Sequence, residues 1–146
     1  MIIRDPSALD EAAWRRLWSA YNAFYHMTLR DTVTQQTWQR ILDPHSAIFA
    51  RLAEDHGEVI GFSLSVLHEG TWTAEPICYL EDLFVDPGNR RQGAGRLLIQ
   101  DLIDLARTRR WSRLYWHTRA DNPARALYNQ FATADDFVRY RLLFDQ

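Results

Sequence analysis

A chain of 146 residues, 47% hydrophobic and 25% charged, holds enough apolar side chain for one packed domain. Its net charge of −2 argues against a broad nucleic-acid surface, and no apolar run reaches the length of a membrane span. The start Met1-Ile2-Ile3-Arg4-Asp5 lacks the pattern of a signal peptide, so a cytoplasmic protein without membrane contact is expected. The single cysteine, Cys78, excludes an internal disulfide and a cysteine-based zinc cluster, and no metal is expected. Lysine is absent, leaving no lysine of the chain's own to be modified.

Ile2-Ile3 reads as a short first strand. Pro6-Ser7 starts a helix, with Ser7 and Asp10 spaced as a capping box and Leu9, Ala13, Leu17, Tyr21 and Phe24 forming an apolar stripe. A second helix covers about Thr34 to Leu42 and stops before Asp43-Pro44. Ala47 to Ala53 and Val59 to Leu67 read as strands joined at Asp55-His56-Gly57; Phe62, Leu64 and Val66 alternate with Gly61, Ser63 and Ser65, the period of a half-buried strand. Ile77 to Val85 is the next strand, followed by a helix carrying Leu98, Leu102, Leu105 and Ala106 on one face. Arg113 to Thr118 forms a strand, Asn122-Pro123 opens a short helix to about Phe131, and Phe137 to Phe144 is the last strand. The order β-α-α-β-β-β-α-β-α-β predicts an α/β (α+β) domain, a mixed and mostly antiparallel sheet with helices on both faces.

The segment Arg90-Arg91-Gln92-Gly93-Ala94-Gly95-Arg96 lies between a strand and an amphipathic helix. That order aims backbone N–H groups and a helix N-terminus at one point, the arrangement that holds a pyrophosphate, with Arg90, Arg91 and Arg96 adding charge. It lacks the Gly-Lys-Ser/Thr ending of a nucleotide-triphosphate loop and the third spaced glycine of a dinucleotide fingerprint. Just upstream, Glu81 and Asp82 place carboxylates beside this loop. Side chains alternate along a strand, so only one of the two can face a given pocket unless the strand bulges.

The loop resembles the acetyl-CoA-binding signature of the GNAT superfamily of N-acetyltransferases, Arg/Gln-x-x-Gly-x-Gly/Ala, and the resemblance runs over nearly the whole chain. A second family feature is matched by Asn122-Pro123-Ala124-Arg125-Ala126-Leu127-Tyr128. The resemblance implies a single N-acetyltransferase domain that uses acetyl-CoA. Main-chain groups of Leu83, Phe84 and Val85 would bind pantetheine, and the Arg91 to Arg96 amides the pyrophosphate. Asn122 would touch the cofactor, and Tyr128 would approach its sulfur. Tyr128 has a chemical rationale as well: amine attack on a thioester expels a thiolate, and a phenol with a reference pKa of about 10 arrives carrying the proton it needs.

The Leu80-Glu81-Asp82 strand is similar to that of polyamine acetyltransferases, which implies Glu81 as the base facing the acceptor amine and Asp82 as a structural neighbour. Tyr25, His26 and His117, with Glu81 and Asp82 themselves, are weaker candidates for acceptor contacts. The stretch from Tyr128 to Phe137 lacks the family's commoner tyrosine-x-x-x-Gly-Phe ending and resembles a subgroup containing histone, polyamine and D-amino-acid acetyltransferases. The expected function is acetyl transfer from acetyl-CoA to a primary amine, of a small molecule or a peptide, by direct attack in a ternary complex. The alternative is a non-catalytic CoA-binding module. A homodimer is expected from the resemblance.

Overall fold

The computed structural model describes residues 1–144. Five strands lie in one sheet in sequence order: β1 (Ile2–Arg4), β2 (Ile48–Asp55), β3 (Glu58–His68), β4 (Ile77–Val85) and β5 (Arg113–Tyr115). The first three pairings are antiparallel and the β4–β5 pairing is parallel. A parallel neighbour requires a crossover, and helix α3 (Ala94–Arg109) supplies it. Helices α1 (Glu11–Phe24) and α2 (Asp31–Leu42) precede β2, and the short α4 (Arg125–Tyr128) follows β5.

The Ser7/Asp10 capping box is formed, but it opens a 3-10 turn over Ala8–Asp10, and α1 begins only at Glu11. The expected stripe keeps Ala13, Leu17 and Tyr21 on the core side and loses its two ends. Leu9 (95% exposed) and Phe24 (58% exposed) stay in solvent, while Trp14, Leu17 and Trp18 are buried. Trp14 stacks on Trp18 and on Trp38 of α2, each at 5.3 Å between ring centroids. This tryptophan layer packs on Ala50, Leu52, Phe62, Leu64 and Phe84 of the sheet. The opposite face carries α3, whose Ala94 and Leu98 pack on Ala53 and Ile60, with Leu83 and Val85 beside them. Helices on both faces bury β3 twice over, so Ser63 and Ser65 are fully buried rather than lining a wet face. Arg51 of β2 forms an ion pair with Asp101 of α3 at 2.8 Å. Arg4 joins Asp10 to Glu54, and the guanidinium holds the Asp10 carboxyl down at about 2.

The C-terminal part departs from expectation. β5 ends at Tyr115 rather than Thr118, and α4 covers only Arg125–Tyr128. Phe137 to Phe144 forms no strand. Its apolar side chains stand in solvent, with Phe137 84%, Tyr140 93% and Leu142 83% exposed. The residue pattern favours extended chain, but a ladder needs a neighbouring edge, and β5 is only three residues long. Among the described residues no helix is long and apolar enough to cross a membrane.

Candidate active site

The parallel pairing of β4 with β5 covers only Ile77–Tyr79 against Arg113–Tyr115. Beyond that point β4 continues to Val85 without β5 beside it, so the sheet splays open at Tyr79. Two residues further on, β4 bulges. Leu64 of β3 pairs with Asp82 while the next residue, Ser65, pairs with Leu80, which leaves Glu81 as the extra residue. The bulge breaks the alternation that would send Glu81 and Asp82 to opposite faces. Both line one cavity of about 240 Å3, together with Trp18 of α1 and Thr37 and Arg40 of α2.

The two carboxylates differ in setting. Glu81 is exposed. Asp82 is partly buried and accepts a 2.7 Å hydrogen bond from the Tyr21 hydroxyl. Burial pushes its pKa up to about 7, opposed by the hydrogen bond from Tyr21 and reinforced by the neighbouring charge of Glu81. In the sequence Tyr21 reads as one member of an apolar stripe. Its ring does pack on Phe62 and Phe84, and its hydroxyl makes it a site residue as well.

Around the splay stands an aromatic wall. Tyr79 stacks on Tyr115 at 5.0 Å, and its hydroxyl lies 3.3 Å from His117 Nδ1. The Tyr115 hydroxyl is 2.9 Å from His68 Nε2. His117 is therefore tied to the wall by Tyr79. Tyr25, the residue that closes α1, packs on Tyr21 at 5.0 Å. His26 follows in the left-handed region (φ 54°) and ends the helix. Both are exposed beside the site.

After β4, a 3-10 turn at Pro87–Asn89 leads into the glycine loop. Arg91 (φ 68°) and Gly93 (φ 89°) both take left-handed conformations, and Gly93 caps α3. Among the described residues, no backbone acceptor is taken by the amides from Arg91 to Arg96. A run of unpaired amides at the start of a sixteen-residue helix has the character of an anion cradle. The arginines divide their work. Arg90 Nε donates to the Val85 carbonyl at 3.0 Å, and Arg96 reaches the turn that follows α4, where it binds the Gln130 side chain and lies over the Phe131 ring. Arg91 and Gln92 remain exposed at the loop, with Ala94 buried beneath it.

Asn122 is occupied in shaping α4: its Oδ1 accepts from the Ala124 N–H at 2.9 Å and its Nδ2 donates to Thr118 Oγ1 at 2.8 Å. Tyr128 packs edge-on against Trp116 at 5.7 Å, and its hydroxyl has no hydrogen-bond partner among the described residues. Burial, and to a smaller extent Tyr25, raise its pKa, so it stays protonated at neutral pH. Cys78 is fully buried and its thiol is pushed up to about 11, the behaviour of a packed hydrophobe and not of a nucleophile. Among the described residues no group of His, Cys, Asp and Glu is arranged to hold a metal ion.

A splayed parallel pair beside an amide cradle, with carboxylates at the mouth, can be compared with known proteins. The sequence profile of the Acetyltransferase (GNAT) family matches residues 11–132. This chain belongs to the GNAT acetyltransferase family. It is 31% identical over 144 residues to a D-amino-acid N-acetyltransferase of Saccharomyces cerevisiae, covering 97% of this chain and 89% of the relative. It is 32% identical to an uncharacterized N-acetyltransferase of Bacillus subtilis, covering 97% of each. Among solved structures, the ribosomal-protein-alanine N-acetyltransferase of Brucella melitensis biovar Abortus superposes with a TM-score of 0.81 at 24% identity, over 99% of this chain and all of that one. An aminoglycoside acetyltransferase from an uncultured soil metagenomic sample gives 0.82 at 20% identity, over 99% and 96%. The protein is an N-acetyltransferase with the GNAT fold.

Two site residues, Tyr21 and Arg40, are not legible as such in the sequence. A tyrosine at the end of an apolar stripe is the only local sign of the first. For the second there is none, because α2 meets β4 only through the tertiary fold.

Proposed function

We propose that this GNAT protein transfers an acetyl group from acetyl-CoA to a primary amine by direct attack in a ternary complex. The observation that carries the reading is the bulge at Glu81, which puts two carboxylates into one cavity, two residues past the point where β4 loses its pairing with β5. Acetyl-CoA would supply the acyl group as a thioester. Its fit rests on the unpaired amides of Arg91 to Arg96 for the pyrophosphate and on the main chain of Leu83, Phe84 and Val85 along the open side of β4 for pantetheine. Asn122 serves by fixing α4, which presents Tyr128.

The ammonium form of the acceptor has a reference pKa near 10.4 and must lose a proton before its nitrogen can bond to the acyl carbon. A base is most effective when its pKa lies near the working pH. Asp82 fits that requirement, and Glu81, exposed at the mouth, takes the proton from the amine or from an intervening water and shares it with Asp82. The backbone N–H of Leu83 steadies the negative charge that develops on the acyl oxygen. As the carbon–sulfur bond breaks, the Tyr128 hydroxyl gives its proton to the sulfur.

A thiol-release assay over polyamines, amino acids of both hands, aminoglycosides and lysine peptides tests the reading. CoA release with at least one class is expected; CoA binding without release from any amine would replace the enzyme with a CoA-binding module. The similarity to a D-amino-acid N-acetyltransferase puts amino acids first in the panel. Comparing pH–rate profiles of Glu81→Gln and Asp82→Asn assigns the base, since the variant that loses the acidic limb has lost it. We also propose a homodimer, in which a second copy covers the apolar segment Phe137 to Leu143, and sedimentation velocity measures it.

A further inference from the structure

The cavity that holds Glu81 and Asp82 also holds a positive charge. Arg40, in the last turn of α2, lines it from the opposite wall, with Thr37 one turn earlier on the same helix. Opposite charges within one recess usually find each other, but these do not. Among the described residues neither the Arg40 guanidinium nor the Glu81 carboxylate makes an ion pair or hydrogen bond, and Asp82 is bonded to Tyr21 alone. Other arginines of this half of the molecule, Arg4, Arg15 and Arg51, are paired with carboxylates. A cation suits the C-terminal end of a helix, which accounts for an arginine in that turn. It does not account for its sharing one recess with two carboxylates, where Arg40 and Glu81 both stand exposed to an incoming ligand.

We infer that the acceptor is an amino acid, with Arg40 holding its carboxylate while Glu81 and Asp82 receive its amine. This rests on the acetyl-transfer reading and names the substrate of that same site. A zwitterion carries the two charges this cavity leaves unmatched. A guanidinium binds a carboxylate through two parallel N–H···O bonds. The volume of about 240 Å3 admits a free amino acid. Polyamines and aminoglycosides are disfavoured, because either would bring a second positive charge against Arg40. A lysine side chain in a protein carries no carboxylate at the required short distance from its amine.

The experiment measures kcat/KM for CoA release with a set of amino acids of both hands, with their amides, with the corresponding decarboxylated amines, and with spermidine. For the intact enzyme the free amino acid is expected to exceed its decarboxylated amine by about 10-fold or more, the scale of losing hydrogen bonds to one charged group at a solvent-open site. In Arg40→Gln that preference should collapse towards unity, chiefly through KM, and Arg40→Lys should restore part of it. Calorimetric binding of the amino acid to the CoA-loaded protein should weaken in parallel. Efficient CoA release with spermidine or the decarboxylated amine would keep the acetyltransferase and overturn the amino-acid inference. So would an amino-acid preference unchanged by Arg40→Gln. If no amine releases CoA, the catalytic reading fails by itself, and amino-acid binding weakened by Arg40→Gln would still support the recess as a zwitterion site; binding unaffected by it would sink that too.

Discussion

The two ends of this molecule are built on different terms. From β1 to β4 each strand is paired along its length, both faces of the sheet are covered, and a layer of three stacked tryptophans fills one side. From β5 onward the chain offers three paired residues, a one-turn helix and an apolar segment in solvent. The proposed acetyl-transfer site lies on the border between them, where β4 keeps its support from β3 and loses it from β5. The firm half positions carboxylates and amides. The loose half leaves β4 uncovered beyond Tyr79 and carries Tyr128, the proposed acid.

If stability resides in the first region, damage there must be the most severe. Trp14→Ala removes the central ring of the tryptophan layer and should cost about 3–5 kcal/mol, against a total near 5–15 kcal/mol for a typical domain. Urea unfolding followed by tryptophan fluorescence would read a large fall in midpoint; a shift within error would show that the layer is not what holds this half together. Next in size comes the border. Tyr128→Phe should lower turnover about 100-fold, the usual scale of a lost general acid, with CoA affinity unchanged by calorimetry. A loss of CoA affinity instead would make the hydroxyl a binding group.

Asp82 marks the point where the firm half gives up stability for chemistry. Its folded pKa of about 7 lies above the ordinary carboxylate value, so between those two values the folded chain holds more protons than the unfolded one. Stability must then fall as pH rises from about 4 to 7, and stay lower above 7. Asp82→Asn removes that penalty, and at pH 8 it should be more stable than the parent by roughly 1–3 kcal/mol, with the gain gone at pH 4. Thermal melts across that range test it, and an equal effect at both ends would contradict the burial argument. The smallest expected effect lies in the loose region. Tyr140→Ala should change unfolding of dilute protein by less than about 0.5 kcal/mol while weakening any dimer, which separates the segment's own stability from its role in association.

The same border divides what the sequence discloses from what it conceals. β4 runs from Ile77 to Val85 as its residues indicate, and the glycine loop and capping box are formed, because each depends on neighbours in the chain. Ala13, Leu17 and Tyr21 of the α1 stripe face the core as the sequence indicates, but its ends do not, because a 3-10 turn takes Leu9 out of the helix and Phe24 lies at its last residue. The bulge at Glu81 arises from how β3 and β4 fit together, and no residue type announces it. Arg40 joins the site only because α2 folds over the sheet. The segment Phe137 to Phe144 has the pattern of a strand, but pattern cannot supply the edge on which a strand must form.

Glu81 is the odd member of an otherwise even lattice. Downstream of it, Asp82 and Phe84 point to the α1 side and Leu83 and Val85 to the α3 side; upstream, the parity is reversed and Leu80 shares a face with Ser65. The strand is thus written in two reading frames joined at one residue, with the proposed acceptor groups at the junction and the proposed cofactor contacts beyond it. Insertion or loss of one codon there would exchange the groups facing the acceptor without altering a side chain in the glycine loop. A strand arranged this way can exchange one set of side chains while leaving the main chain of the other half in place.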